Sequence, residues 1–248
     1  MEIKSLIVFI GICIFLILEF LFPKEKIYFK NKISRISKNI FFWLVNIGIT
    51  PIIILPISIF ATQFELHSLF KFNNSIINFL FHLIIIDLFL YWWHRFNHQI
   101  PFLWKFHHVH HLDETLDISS GVRFHFGEVI LSALIRSIII ITFNISLINL
   151  LLIEAIILLS SIFHHSNISI PKKIENILSK IIVTPSIHWV HHHKRQSETD
   201  ANYSTIFSWW DKIFGSRSNF ERKIGMPIGV EGDTEQTLKK LIFRPLKR

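Results

Sequence analysis

Fifteen of the 248 residues are histidine, and thirteen of these fall in clusters. The densest stretch, His94 to His111, reads H-R-F-N-H-Q-I-P-F-L-W-K-F-H-H-V-H-H and holds six histidines in eighteen residues. At helical spacing His94 and His98 project from one face, as do His107 and His111, with His110 beside them. The H-x-x-H-H spacing returns at His188, His191 and His192, and His164 and His165 lie between the two copies. Imidazolium charges packed this closely repel one another unless something neutralises or ligates them. Neutral imidazole suits zinc, iron, copper or nickel, and affinity order does not choose among these. Nine or ten candidate ligands exceed the three or four that one zinc takes from a protein, so two metals are the natural count. The Glu and Glu-x-x-His pattern of ferritin-like di-iron bundles is absent. An all-nitrogen site is expected instead, with carboxylates behind the rings fixing their tautomers. Asp87 is the best-placed carboxylate, with Glu128, Asp211, Glu198 and Asp200 as further candidates. The isolated His67 and His82 read as hydrogen-bonded structural residues. The single cysteine, Cys13, excludes both a disulfide framework and a cysteine metal site within the chain.

The elements that must position these rings are membrane helices. Half of the chain is hydrophobic, and mean hydropathy is positive at +0.44. The formal charge of +8 is not gathered into a basic patch interleaved with aromatics, so nucleic acid is not an expected partner. Of 26 Lys and Arg, six lie between Lys24 and Lys38 and fourteen after Asn167, the pattern of cytoplasmic flanks. Leu6 to Phe22 reads as an anchor helix, and Phe41 to Ala61 as a second span kinked by Pro51 and Pro56. Ser75 to Trp93 is a third, with Asp87, Tyr91, His94 and His98 on one stripe. The apolar run Val129 to Phe163 is too long for one crossing and reads as a hairpin broken near Phe143 to Ser146. Thr234 to Arg248 is expected to form a basic amphipathic helix on the membrane surface. The expected fold is an all-α integral membrane bundle of about four transmembrane helices, the last two as a hairpin, beneath a cytoplasmic histidine-rich helical cap. Residues 1–75 would be membrane anchors, 76–220 the catalytic domain and 221–248 a basic tail.

His94-x-x-x-His98, His107-x-x-His110-His111 and His188-x-x-His191-His192 resemble the three histidine boxes of the fatty acid hydroxylase and sterol desaturase superfamily. Supporting likenesses are Asp87-x-x-x-Tyr91, Arg123-x-His125 with Glu128, His165-Ser-Asn-Ile, and Asn202-Tyr203 leading to Trp210-Asp211-Lys-Ile-Phe-Gly215. Phe126, Trp189 and Ser204 depart from the residues common in that superfamily, which leaves the subfamily open. The resemblance implies ten metal ligands: His94, His98, His107, His110, His111, His125, His165, His188, His191 and His192. It favours His165 over His164. Asp87, Tyr91, Glu128, Asn202 and Asp211 would support them. It further implies two iron ions that activate dioxygen to hydroxylate, or desaturate, a lipid or sterol-like substrate entering from the bilayer. Electrons would come from an external cytochrome or ferredoxin system. The setting would be a multi-pass membrane protein, as in a bacterial inner membrane, with its active site facing the cytoplasm. A two-zinc hydrolase or lyase is the alternative enzyme reading, and a metal-storing or metal-sensing membrane protein the non-catalytic one.

Overall fold

A computed structural model describes residues 2–26, 32–64 and 72–247, and His67 lies outside them. Among the described residues the molecule is helical, with three isolated β-bridges and no strand. Helix α1 spans Glu2–Leu21 and α2 spans Lys32–Ile49. A π-helical turn at Thr50–Ile54, carrying Pro51, joins α2 to α3 (Leu55–Thr62). The expected second span is therefore longer than its apolar core, running from Ile33 to Thr62. The prolines are accommodated by a locally widened turn, not by a break.

Helix α4 (Ser75–Gln99) starts at Asn74, whose side chain accepts from the amides of Ile76 and Ile77. It stops because Ile100 precedes Pro101 and takes an extended conformation, after which Pro101 opens α5 (Pro101–His111). The expected hairpin is present: α6 (Phe126–Thr142) and α7 (Leu147–His165) are joined at Phe143–Ser146. The helices α2 with α3, α4 and α7 are long and apolar enough to cross a membrane, whereas α1 is apolar over the shorter stretch Ser5–Leu21. Short helices α8 (Lys172–Leu178), α9 (Pro185–His191), α10 (Gln196–Thr199) and α11 (Trp209–Ile213) form a cap at one end.

The C-terminal segment departs from expectation. Only Leu238–Ile242 (α12) and a 3₁₀ turn at Arg244–Leu246 are helical. Leu241 is fully buried among Phe42, Val109 and Leu112, so this short helix is docked on the bundle.

A buried polar network ties α2 to the loop after α5. Arg35 donates to Asp113 Oδ2 at 2.9 Å and pairs with Asp117. Asn39 Nδ2 donates to Asp113 Oδ2 at 3.0 Å, and Arg123, wholly buried, donates to Asn39 Oδ1 and to Glu235 Oε2 at 3.1 and 2.7 Å. Removing one partner of a buried pair strands the other charge. Arg35→Met is expected to destabilise the protein by about 3–5 kcal/mol, read as a lowered midpoint of thermal unfolding in detergent. A midpoint equal to wild type would show that the network does not hold the fold.

Candidate metal centre

Two prolines aim the rings. The corner at Ile100–Pro101 sets the last turns of α4 against α5, so His94 and His98 face His107 and His111. Thr184, extended before Pro185, opens α9, which presents His188 and His191, with His192 as its cap. The last turn of α7 supplies His165. The result is two groups, His94, His98, His107, His111 and His191, and His110, His165, His188 and His192. Within each group the potential ligand nitrogens all lie within 4.8 Å of one another, a geometry that can hold a metal ion. The groups adjoin, with the rings of His111 and His192 stacked at 4.3 Å.

The hydrogen bonds behind the rings decide which nitrogens are free. A carbonyl oxygen can only accept, so an imidazole nitrogen facing one must carry the proton. His94 Nδ1 donates to Tyr203 O at 2.8 Å, His191 Nδ1 to Ala201 O at 2.7 Å, His110 Nδ1 to Arg123 O at 3.2 Å and His165 Nδ1 to Ser161 O at 2.7 Å. His107 Nδ1 donates to Glu128 Oε1 at 2.9 Å. In the neutral form of each of these rings Nε2 is therefore a bare lone pair. His110 Nε2 and His165 Nε2 then face each other at 3.0 Å, an arrangement that repels unless a cation sits against both. Nε2 of His94 and of His191, and both nitrogens of His98, are buried with no hydrogen-bond partner. Orphaned, inward-facing lone pairs are what a metal requires, and this donor set fits one in each group. Burial, reinforced by neighbouring rings, holds His110, His111, His188 and His192 well below the ordinary imidazole range and His191 at about 3. These rings are thus neutral at physiological pH and free to ligate.

Nine of the ten expected ligands are brought together, and His125 is not. Its Nδ1 accepts from the Gly127 amide at 3.0 Å and its Nε2 donates to Ile242 O at 3.0 Å, making it the N-cap of α6 and the tether of α12. His164 is buried against His188, ring centroids 4.0 Å apart, but outside both groups. His108 faces Asp233, His193 accepts from the Arg195 amide, and His82 accepts from Asn149.

The carboxylates divide. Glu128 touches a ring, accepting from His107 and from Asn97 Nδ2 at 3.0 Å. Asp87 touches none: it accepts from the amides of Ile206 and Phe207 and from Trp210 Nε1, at 2.9, 3.0 and 2.8 Å. Asp211, whose pKa burial raises, accepts from the amides of Tyr203 and Ser204 at 2.7 and 3.1 Å and from Ser216 Oγ. Tyr91 reaches the same loop through Ser216 Oγ at 2.8 Å. Glu198 bonds Ser218 Oγ, and Asp200 Oδ1 stands 3.4 Å from His98 Nδ1. Asn202 lies between the two carbonyls that orient His191 and His94, in the left-handed region at φ 56°, with its side chain bonded to Ile187 O and to the Ser218 amide. Asparagine tolerates that conformation where bulky residues do not. Asp87, Asp211 and Asn202 therefore act on a loop whose main chain, not their own side chains, meets the rings.

A cavity of about 360 Å³ opens from the rings of both groups into the bundle. His94, His107, His110, His165 and His188 line one end, and Leu90, Trp93 and Leu158 contribute apolar walls. Arg136 and Glu154 also line it, paired across α6 and α7 at 3.2 Å. Neither charge stands out in the sequence from the apolar run around it, although an ionisable residue within such a run is a functional signal in itself.

Gly121 approaches α7 so closely that a β-carbon would stand 2.8 Å from Ser161 O and 2.9 Å from Ile162 Cα. Ser161 O is also the acceptor for His165, so Gly121→Ala is expected to displace that ring and cut metal content in the second group more than in the first. Elemental analysis reads the loss, and wild-type metal content would refute the coupling. Glu128→Gln is expected to weaken metal affinity roughly 10- to 100-fold through His107, measured by competition with a chelator.

Residues 79–216 match the family model of the fatty acid hydroxylases. The chain is 28% identical over 166 residues to an ornithine lipid hydroxylase of Rhizobium tropici, a match covering 67% of this chain and 49% of that protein. It is 30% identical over 133 residues to the alkylglycerol monooxygenase of Homo sapiens, covering 53% of this chain and 28% of the relative, and 30% identical over 131 residues to that of Danio rerio, with the same coverage. The matches thus span half or less of these relatives' lengths. No solved structure matches the chain. With a family match over more than half of its length and the three histidine boxes folded into two adjoining groups, the chain belongs to the fatty acid hydroxylase family.

Proposed function

We propose that the protein is a membrane-bound non-heme di-iron oxygenase that hydroxylates an unactivated C–H bond of a lipid or sterol-like substrate. The observation that carries this reading is the cavity that joins both histidine groups to the interior of an apolar bundle. A substrate that resides in the bilayer can present its chain to such a site without crossing water. Two irons, one in each group, would supply dioxygen activation and hydrogen abstraction. Five ring nitrogens in the first group exceed the ligands that a catalytic or structural zinc takes, which supports iron over the two-zinc hydrolytic alternative.

The chain's own residues hold and exclude. Tyr203, Ala201, Arg123 and Ser161 carbonyls and Glu128 fix the proton on Nδ1 of five rings and keep Nε2 available. Leu90, Trp93 and Leu158 keep the cavity apolar and orient an alkyl chain by shape. The concentration of Lys and Arg after Asn167, on the histidine side of α7, supports a cytoplasmic active site, in a bacterial inner membrane on the likeness to the Rhizobium protein. Two electrons per turnover would reach it from an external donor, a cytochrome or ferredoxin system.

Purified in detergent, the protein is expected to contain about two irons per chain by elemental analysis, with Mössbauer parameters of nitrogen-ligated iron. His110→Ala and His191→Ala are each expected to remove most of the metal and abolish oxygen-dependent hydroxylation of the lipids in cells expressing the gene. Zinc alone with activity that persists without oxygen would overturn the oxygenase reading.

A further inference from the structure

The Arg136–Glu154 pair has no role in holding the rings, and its position is costly. Arg136 stands ten residues beyond the start of α6 and Glu154 eleven residues before His165 on α7. At 1.5 Å per residue Glu154 lies roughly 15 Å along α7 from His165, and Arg136, paired with it, lies at the same depth in the bundle. A hydrophobic pair of similar size would bridge the two helices at no desolvation cost. The two helices are also not packed closely on each other: α6 rests mainly on α3, and α7 on α1 and the 3₁₀ turn Ile118–Val122. The ion pair therefore spans a gap, and that gap is the cavity.

Three observations bear on what the pair faces. Arg136 Nε is buried without a hydrogen-bond partner. The Glu154 side chain remains 26% exposed beside an Arg136 at 11%, so the pair is not sealed by protein. The cavity wall around them is polar as well, with Ser132 one turn before Arg136 on α6 and Thr50 from the π-helical turn. A π-helical turn shifts the register of the residues after it and is found often at functional sites. The cavity thus has a metal-binding end, apolar walls and a second polar end.

Resting on the oxygenase reading above, we propose that Arg136 and Glu154 anchor an uncharged hydrogen-bonding group of the substrate, a hydroxyl or an amide, about 15 Å from the carbon presented to the metals. Arg136 brings donors and Glu154 acceptor oxygens to the same wall of the cavity, which matches a group that both donates and accepts. A charged headgroup would leave a surplus charge in the low-dielectric interior and is disfavoured. The anchor measures the substrate: it fixes which carbon along the chain reaches the rings.

The test uses tryptophan emission, because Trp43 and Trp93 line the cavity. Chain-brominated hexadecanol, hexadecanamide and hexadecane are titrated into the purified, metal-loaded protein, and the quenching absent from a Trp43→Phe, Trp93→Phe variant reports cavity occupancy. The alcohol and the amide are expected to bind roughly 10- to 100-fold more tightly than the alkane, as hydrogen bonds to charged groups would give. Arg136→Met with Glu154→Met is expected to abolish that preference while the alkane still binds. If that variant does not fold, Arg136→Gln with Glu154→Gln carries the same comparison and is expected to lower the preference at least several-fold. Equal binding of alcohol and alkane by the wild type, or a preference that survives both double variants, would overturn the anchor. Quenching does not depend on turnover, so loss of the anchor proposal and loss of the oxygenase reading are separately visible: the second would show in metal identity and oxygen dependence.

Discussion

Nine imidazoles share one small volume of protein interior, and the rest of the molecule exists to keep them neutral, oriented and facing inward. Like charges cannot be buried at these separations. Neutral rings can, but a neutral imidazole has one proton and two nitrogens, and something must decide which nitrogen keeps it. Four main-chain carbonyls and one glutamate make that decision here, and each is itself held in place. The carbonyls of Tyr203 and Ala201 flank a left-handed Asn202. The carbonyl of Arg123 belongs to a residue whose guanidinium is wholly buried and bonded to Val109 O, Asn39 and Glu235. The carbonyl of Ser161 sits where Gly121 permits the closest approach to α7.

Seen this way, the network around Arg35, Asp113 and Arg123 is part of the site although none of its side chains meets a ring. It fixes the loop between α5 and α6, and that loop supplies an acceptor to one histidine and a glycine to the contact beneath another. The same holds midway along α4, where Asp87 ties down the segment Ile206–Trp210 and so steadies the loop that begins at Tyr203.

The histidine spacing made most of this centre legible in the sequence, because rings four and three residues apart on a helix must share a face; the turns at Pro101 and Pro185 that bring the helices together are seen only in the fold. The helical hairpin was legible from the length of its apolar run. Other features were not. His125 reads like a ligand from its place beside Arg123 and Glu128, but a histidine before a helix can equally cap it, and here one nitrogen caps α6 while the other holds α12. Asp87 looked like a partner for a ring because it shares a stripe with His94. One helical turn more or less decides whether a carboxylate reaches a ring or a neighbouring loop, and spacing along one helix cannot show what packs against it. Arg136 and Glu154 were diluted by the apolar residues around them, since mean hydropathy averages away two opposite charges. The docked C-terminal helix depends on a pocket assembled by Phe42, Val109 and Leu112 from distant parts of the chain.

The distribution of the two groups along the chain bears on how the protein is made. The first draws on residues 94 to 111 and then on His191, and the second on His110 and His165 and then on His188 and His192. Neither is complete until α9 has left the ribosome, and both are completed by the same short helix. Neither position would be able to take a metal before α9 has been made, and the two would become competent together. A chain truncated before α9 would carry four of the five histidines of the first group but only two of the four of the second, so the second position depends on that helix the more heavily.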